Sequence, residues 1–126
     1  LMLFFTGQQR VASHIAAEQI KNAPNRVSEL RTMHQMVDEA MNILGGSSSI
    51  LDFGKLLHES WQYKRKLSSK ITNSEINQIY EAGMKAGAVG GKLLGAGGGG
   101  FVLLFVPPQD QLRVTMALKN LLHVKF

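Results

Sequence analysis

Apolar positions along this chain follow two kinds of pattern. Leu1-Met2-Leu3-Phe4-Phe5 is a short continuous apolar run closed by Thr6-Gly7. Residues 101–106 form a second run, with glycine before it and Pro107-Pro108 after it. Apolar runs this short, with turn residues at their ends, predict buried strands. Elsewhere the period is helical. Val11, Ile15 and Ile20 lie roughly on one side of a segment over 9–21, which Asn22-Ala23-Pro24-Asn25 breaks. Val27, Leu30, Met33 or His34, Val37, Met41 and Leu44 recur at helical spacing and predict a helix that Gly45-Gly46 stops. Ser47-Ser48-Ser49 then begins a loop. A third helix is predicted over 51–68, with a stripe of Phe53, Leu56, Leu57, Ser60, Trp61, Lys64 and Leu67. Thr72-Asn73-Ser74 offers N-caps for a fourth, through Ile76, Ile79, Tyr80 and Met84. Residues 109–122 read as an amphipathic helix with Leu112, Met116 or Leu118, and Leu122 facing inward. His123-Val124-Lys125-Phe126 reads as a third strand that has only begun.

Strand, several helices, strand, helix, strand predicts an α+β fold: a two-layer sandwich with helices covering one face of a small sheet. The 126 residues have the size of one domain, with no internal repeat or linker. A first residue other than methionine and a last strand cut short read as the ends of a piece of something larger.

Composition narrows the function classes. Hydrophobic residues at 44% and charged residues at 18% belong to a folded chain, not a disordered one. The chain has no cysteine, which excludes a disulfide framework, a cysteine zinc site and thiol catalysis, and fits the cytoplasm. No apolar run approaches the ~20 residues of a membrane helix, so no membrane partner is expected. The net charge of +5 favours anionic partners. Its only dense basic cluster is Lys64-Arg65-Lys66, with Lys70 close by. Aromatics are 7%, mostly Phe in apolar runs, so stacking platforms for nucleic acid are not evident and nucleic acid is not an expected partner. His14, His34, His58 and His123 show no metal-site spacing beyond a loose His58-Glu59, and read as packing or surface residues. Asp38-Glu39 reads as a solvated helix face. No metal site is expected here.

Nine of the thirteen glycines fall within residues 83–100. Glycine costs backbone entropy, so four in a row at 97–100 need a cause: positive φ, or close approach of the backbone to a ligand or another segment. Exposed amides in such a loop form a concave anion site. Gly95, Gly97 and Gly100 match G-x-G-x-x-G, but that fingerprint opens a helix, and here the glycines precede a strand. A Walker loop fails as well, because Leu93 follows Gly91-Lys92 where Ser or Thr is required, and position 86 is alanine. A tight connection packed on a helix and an anion-binding loop both remain open on these grounds.

Lys92-Leu93-Leu94-Gly95-Ala96-Gly97-Gly98-Gly99-Gly100-Phe101 strongly resembles the third conserved motif of the GHMP kinase superfamily, the galactokinase, homoserine kinase and mevalonate kinase group. Leu3-Phe4-Phe5-Thr6-Gly7 with Arg10, residues 61–67, and Tyr80-Glu81-Ala82-Gly83 look like its sugar-phosphate branch, and in particular the heptose 7-phosphate kinases. The similarity covers nearly the whole chain. It implies a ferredoxin-like carboxy-terminal lobe over 1–126. The amino-terminal lobe, which would hold the ATP loop, the magnesium ligands and the catalytic acid and lysine, is absent from this chain. No Pro-x-x-x-Gly-Leu-x-Ser-Ser loop is present, and Ser47-Ser48-Ser49 does not match one.

The implied activity of the intact chain is ATP-dependent phosphorylation of the anomeric hydroxyl of D-glycero-D-manno-heptose 7-phosphate, with ATP and Mg2+ held mainly by the missing lobe. This piece alone is expected to be inactive and to contain no catalytic residue. Its expected partners are the amino-terminal lobe, the sugar phosphate and ATP, with self-association of the isolated lobe through exposed apolar surface. By carry-over from the motif, Gly95, Ala96, Gly97, Gly98 and Gly99 sit beside phosphate or substrate. Lys92 opens the motif and faces either the cleft or solvent. Lys64 lies on the apolar stripe of Leu57 and Trp61, so it either snorkels or points into a cleft. With Arg65 beside it, it is expected at the sugar-phosphate end, where a guanidinium binds phosphate bidentately. Arg10 is a further candidate for that task. The alternative is a free-standing ferredoxin-like module that binds or regulates through a small molecule.

Overall fold

A computed structural model describes all residues, 1–126. The chain forms β1 (Met2–Phe5), α1 (Ala12–Asn22), α2 (Val27–Gly45), α3 (Ile50–Arg65), α4 (Ser74–Lys85), β2 (Gly90–Leu93), β3 (Phe101–Phe105), α5 (Gln111–Ala117) and β4 (Leu122–Val124). The strands make one antiparallel sheet in the order β2-β3-β1-β4, with Phe4 opposite both Val102 and His123, and Leu93 opposite Val102. This is the split β-α-β-β-α-β arrangement of a ferredoxin-like α+β sandwich, with four helices in the first crossover. No helix is long and apolar enough to cross a membrane.

Alternation along the strands divides the sheet's two faces. Met2, Phe4, Leu93, Val102 and Leu104 are sealed in the core with Ile76, Ile79 and Tyr80 of α4 and Val114 and Leu118 of α5. Leu3, Phe5, Leu103 and Phe105 point to the opposite face and are only half-buried. Helix α3 runs beside β2 and brings Phe53 edge-on to Phe105 at 6.4 Å. Trp61 is fully buried at the α3–α4 junction, 6.2 Å from Tyr80, and its indole N–H meets no acceptor. Caps fix two helix starts. Ser49 accepts the Leu51 amide at 3.3 Å, and Asn73 accepts the Ile76 amide at 2.9 Å.

Three expectations change. First, the sheet has four strands, because the glycine-rich stretch contains β2. Glycine does not favour strands, but here the surroundings demand it. A Cβ on Gly90 would run into the carbonyl oxygen of Gly54 in α3. Backbone approach of helix to strand thus replaces side-chain packing. Second, α2 presents the opposite phase. Met36 is buried and Met33, Ala40 and Ile43 are half-buried, while Val37 and Met41 of the expected stripe are 59% and 68% exposed. Third, α5 is shorter than expected and buries Val114 and Leu118. Leu112 and Met116 face solvent, and Leu122 is exposed in β4. Helix α1 likewise buries Ile15 and leaves Val11 and Ile20 exposed.

Gly90→Ala is expected to destabilise the intact protein by about 3 kcal/mol, since backbone cannot turn aside as a rotamer can. Gly45→Ala is the matched control, in α2, where nothing lies within 4 Å of the new methyl. There the expected change is neutral to about 1 kcal/mol stabilising. Paired thermal or urea melts decide it, and equal melts for the two variants would contradict the α3–β2 packing.

Candidate functional site

The antiparallel strands β2 and β3 are joined by residues 94–100, a glycine loop at the end of a hairpin. Gly95, Gly97, Gly98 and Gly100 all have positive φ, from +72° to +117°. At Gly97 the constraint is also steric: a Cβ would stand 2.8 Å from Ile71 Cα. The loop is fastened from four directions. The Gly98 amide donates to Ile71 carbonyl oxygen at 2.7 Å, and the Gly100 amide to that of Gln8 at 2.9 Å. Thr6 donates both its amide and its hydroxyl to Gly100 carbonyl oxygen, each at 2.9 Å. Gln19 of α1 donates its side-chain amide to Ala96 carbonyl oxygen at 2.6 Å. Lys64 of α3 donates its ammonium to the carbonyl oxygens of Gly95 and, at 3.3 Å, Leu93.

Within the loop the carbonyl oxygens of Gly95, Ala96 and Gly100 have donors, and the amides of Leu94, Gly98 and Gly100 have acceptors; the N–H groups of Gly95, Ala96, Gly97 and Gly99 meet no acceptor in the protein. Unused backbone donors gathered in one turn can receive an anion. A cleft of about 700 Å³ lies against it, walled by Phe5, Phe101, Leu122 and Val124, with Arg10 at its side.

The candidates named from sequence are spread differently around this loop. Gly95, Ala96, Gly97, Gly99 and Arg10 line the cleft, while Gly98 turns toward Ile15 and the Arg10 stem. Lys64 and Lys92 lie outside its lining, on the α3 side. Lys92 Nζ is 3.5 Å from Ser60 Oγ. Burial, with the neighbouring Lys92 charge second, lowers the Lys64 ammonium to about 8. Burial also lowers Lys92. The Arg65 guanidinium sits 5.9 Å above the Trp61 ring and bonds Gln62 Oε1 at 3.4 Å, away from the cleft. His58 is engaged with the Tyr80 hydroxyl at 2.7 Å, which in turn donates to Gly91 carbonyl oxygen at 3.2 Å. Burial holds that phenol up at about 12.

Sequence reasoning missed the fasteners. In the sequence Thr6 reads as the close of an apolar run, and Gln8 and Gln19 belong to no motif. The one available signal was Thr6 itself, a polar residue closing an apolar run; it is 2% exposed.

Residues 36–123 match the family described as GHMP kinases C terminal, and the chain belongs to that family. Over 122 residues it is 33% identical to the D-glycero-alpha-D-manno-heptose 7-phosphate kinase of Campylobacter jejuni, covering 94% of this chain and 35% of that protein. It is 28% identical to the L-fucokinase/L-fucose-1-P guanylyltransferase of Bacteroides fragilis, covering 93% of this chain and 13% of that protein. The Methanococcus jannaschii mevalonate kinase structure superposes with a TM-score of 0.81 at 24% identity, over 98% of this chain and 37% of that one, a likeness of fold. The chain therefore spans about a third of the heptose phosphate kinase and mevalonate kinase chains that it matches. The family's description makes this domain the carboxy-terminal part of GHMP kinases.

The Lys64 brace makes a testable pH signature. Its folded-state value lies below the ordinary 10.5, so the fold disfavours the ammonium relative to the unfolded chain. Stability from this group is lowest below about 8 and rises as pH climbs toward 10.5. The stability of wild type minus that of Lys64→Met, measured by urea melts of the intact protein, is expected to increase across that window and to be flat below it. A difference independent of pH would contradict a half-buried lysine at the loop.

Proposed function

We propose that the chain is the closing, carboxy-terminal lobe of an ATP-dependent sugar kinase. The reaction is phosphoryl transfer to the anomeric hydroxyl of D-glycero-D-manno-heptose 7-phosphate. The observation that carries it is the set of four acceptor-free amides at Gly95, Ala96, Gly97 and Gly99, beside Arg10 in one cleft. The family match supports the kinase class, and the heptose phosphate kinase relative supports this acceptor.

Phosphoryl transfer is largely positioning and charge neutralisation. The free amides would bind equatorial phosphate oxygens through backbone dipoles that need no reorganisation during reaction. Lys64, Gln19 and Thr6 occupy the carbonyls of Gly95, Ala96 and Gly100, which an anion would otherwise meet repulsively. Phe5 and Phe101 supply an apolar wall that excludes water once the amino-terminal lobe closes over it. ATP supplies the phosphoryl group. Magnesium, on the family resemblance, would be held mainly by the amino-terminal lobe, and no step here depends on it. The compartment that suits ATP and sugar phosphates as substrates is the cytoplasm.

The intact protein is expected to consume ATP with heptose 7-phosphate. Gly97→Ala, which pushes the loop off Ile71, is expected to lower kcat/KM on the order of 10²-fold. Turnover with fucose or mevalonate but not heptose 7-phosphate would reassign the acceptor. No turnover with any sugar, sugar phosphate or mevalonate would sink the kinase reading.

A further inference from the structure

Helix α2 leaves an ordered apolar line exposed. Val27, Leu30, His34, Val37, Met41 and Leu44 follow one another in alternating steps of three and four, and all six are exposed. The pattern repeats every seven residues, with Val27, His34 and Met41 at a and Leu30, Val37 and Leu44 at d. Met36 and Ile43, the residues that α2 turns inward, both stand at c, so the line is a seam apart from the packing on α3. A helix that only covered α3 would carry polar residues at such positions. Five apolar side chains in one exposed line mark a surface for another protein.

We infer that the intact protein forms a two-fold homodimer through antiparallel pairing of the α2 seams of two copies. The charges beside the seam carry the choice of occupant. Arg31 and Asp38 both stand at e, are both exposed, and have no ion-pair partner within the chain. In an antiparallel pair e meets e, so Arg31 of each copy reaches Asp38 of the other, and one two-fold axis relates the two ion pairs. A parallel pair would instead set g against e, and so Arg26 of each copy against Arg31 of the other. The antiparallel register stacks Val27 on Leu44, Leu30 on Met41 and His34 on Val37, each twice. A polar residue at one a position, as His34 is, fixes register at some cost in stability.

The amino-terminal lobe is the less suitable occupant. The cleft that it would close is walled by residues of β1, β3 and β4, and α2 contributes nothing to it. Helix α2 packs mainly on α3, which runs beside β2, and β2 and β4 are opposite edges of the sheet. The self-association expected from sequence concerns an isolated lobe and the surface bared by loss of its other half, whereas this contact belongs to the intact chain. It does not depend on which acceptor the kinase uses. A contact between two helices is smaller than a standard interface, so a dissociation constant on the order of micromolar is expected.

Sedimentation velocity of the intact protein, between about 1 and 100 µM, is expected to show a monomer passing into a dimer. Val37→Glu places a carboxylate in the seam and is expected to raise the dissociation constant about 100-fold. Arg31→Asp or Asp38→Arg alone sets like charges against each other at two places, for a rise of about 10-fold. The double variant Arg31→Asp/Asp38→Arg restores both pairs, and is expected to return to within about 3-fold of wild type. A wild type that remains monomeric at the highest concentration overturns the inference. So does a dimer indifferent to Val37→Glu, which would use another face. A double variant no better than the single ones would exclude the antiparallel register, and with it the inference. A monomer whose melting temperature falls with Val37→Glu would mean that the amino-terminal lobe covers the seam, and overturns it too.

Discussion

The structure depends on one constraint: the connection between β2 and β3 must pass where there is no room for side chains. Ile71 backbone lies against Gly97, the Ile15 side chain against Gly98, and the Gln8 carbonyl against Gly99. Packing this tight needs glycine for space, and the handedness of the turn needs it for positive φ. Once the backbone is so confined, its polar groups must be matched. The protein matches the carbonyls of Gly95, Ala96 and Gly100 from within and leaves the amides of Gly95, Ala96, Gly97 and Gly99 over, and the proposed anion site consists of those four amides.

Positive charge is arranged around this loop in two ways. Lys64 and Lys92 approach it from the α3 side, where burial disfavours their charge, and Lys64 serves the backbone directly. Arg10 stands on the other side, exposed and unpaired. A half-buried lysine that donates to carbonyls is a structural group whose charge strengthens its hydrogen bonds. An unpaired exposed arginine at a cleft has its donors available. The same net charge of +5 therefore contains groups with opposite uses, and the total alone does not separate them.

Much of the fold was legible. The two apolar runs became β1 and β3, and Asn73 capped α4 as its residue type predicts. Legibility failed where an element has two apolar sides or none. Helix α2 carries both the expected stripe of Val37 and Met41 and a second one of Met36, Ala40 and Ile43. Only the α3 contact chooses between them. Strand β2 has two glycines and a lysine in four residues, so its pairing with β3 is imposed by its neighbours. In the site, the glycines were visible as a motif and Lys64 as a lysine on an apolar stripe. The role of Lys64 was not visible, because nothing in helical spacing shows that Nζ ends on Gly95. Thr6, Gln8 and Gln19 are ordinary residues locally, and only the tertiary structure brings them to the loop.

Those fasteners come from far along the chain. Thr6 and Gly100 are 94 positions apart, Gln19 and Ala96 77, and Lys64 and Gly95 31. Contacts of such separation form late, because the entropy of closing long segments must be overcome before any of them forms. The hairpin can pair locally, yet its loop has no set shape until β1, α1 and α3 have all arrived. The proposed competence to hold an anion would therefore arise only with completion of the domain, and a half-assembled lobe emerging during synthesis would offer phosphates nothing to grip.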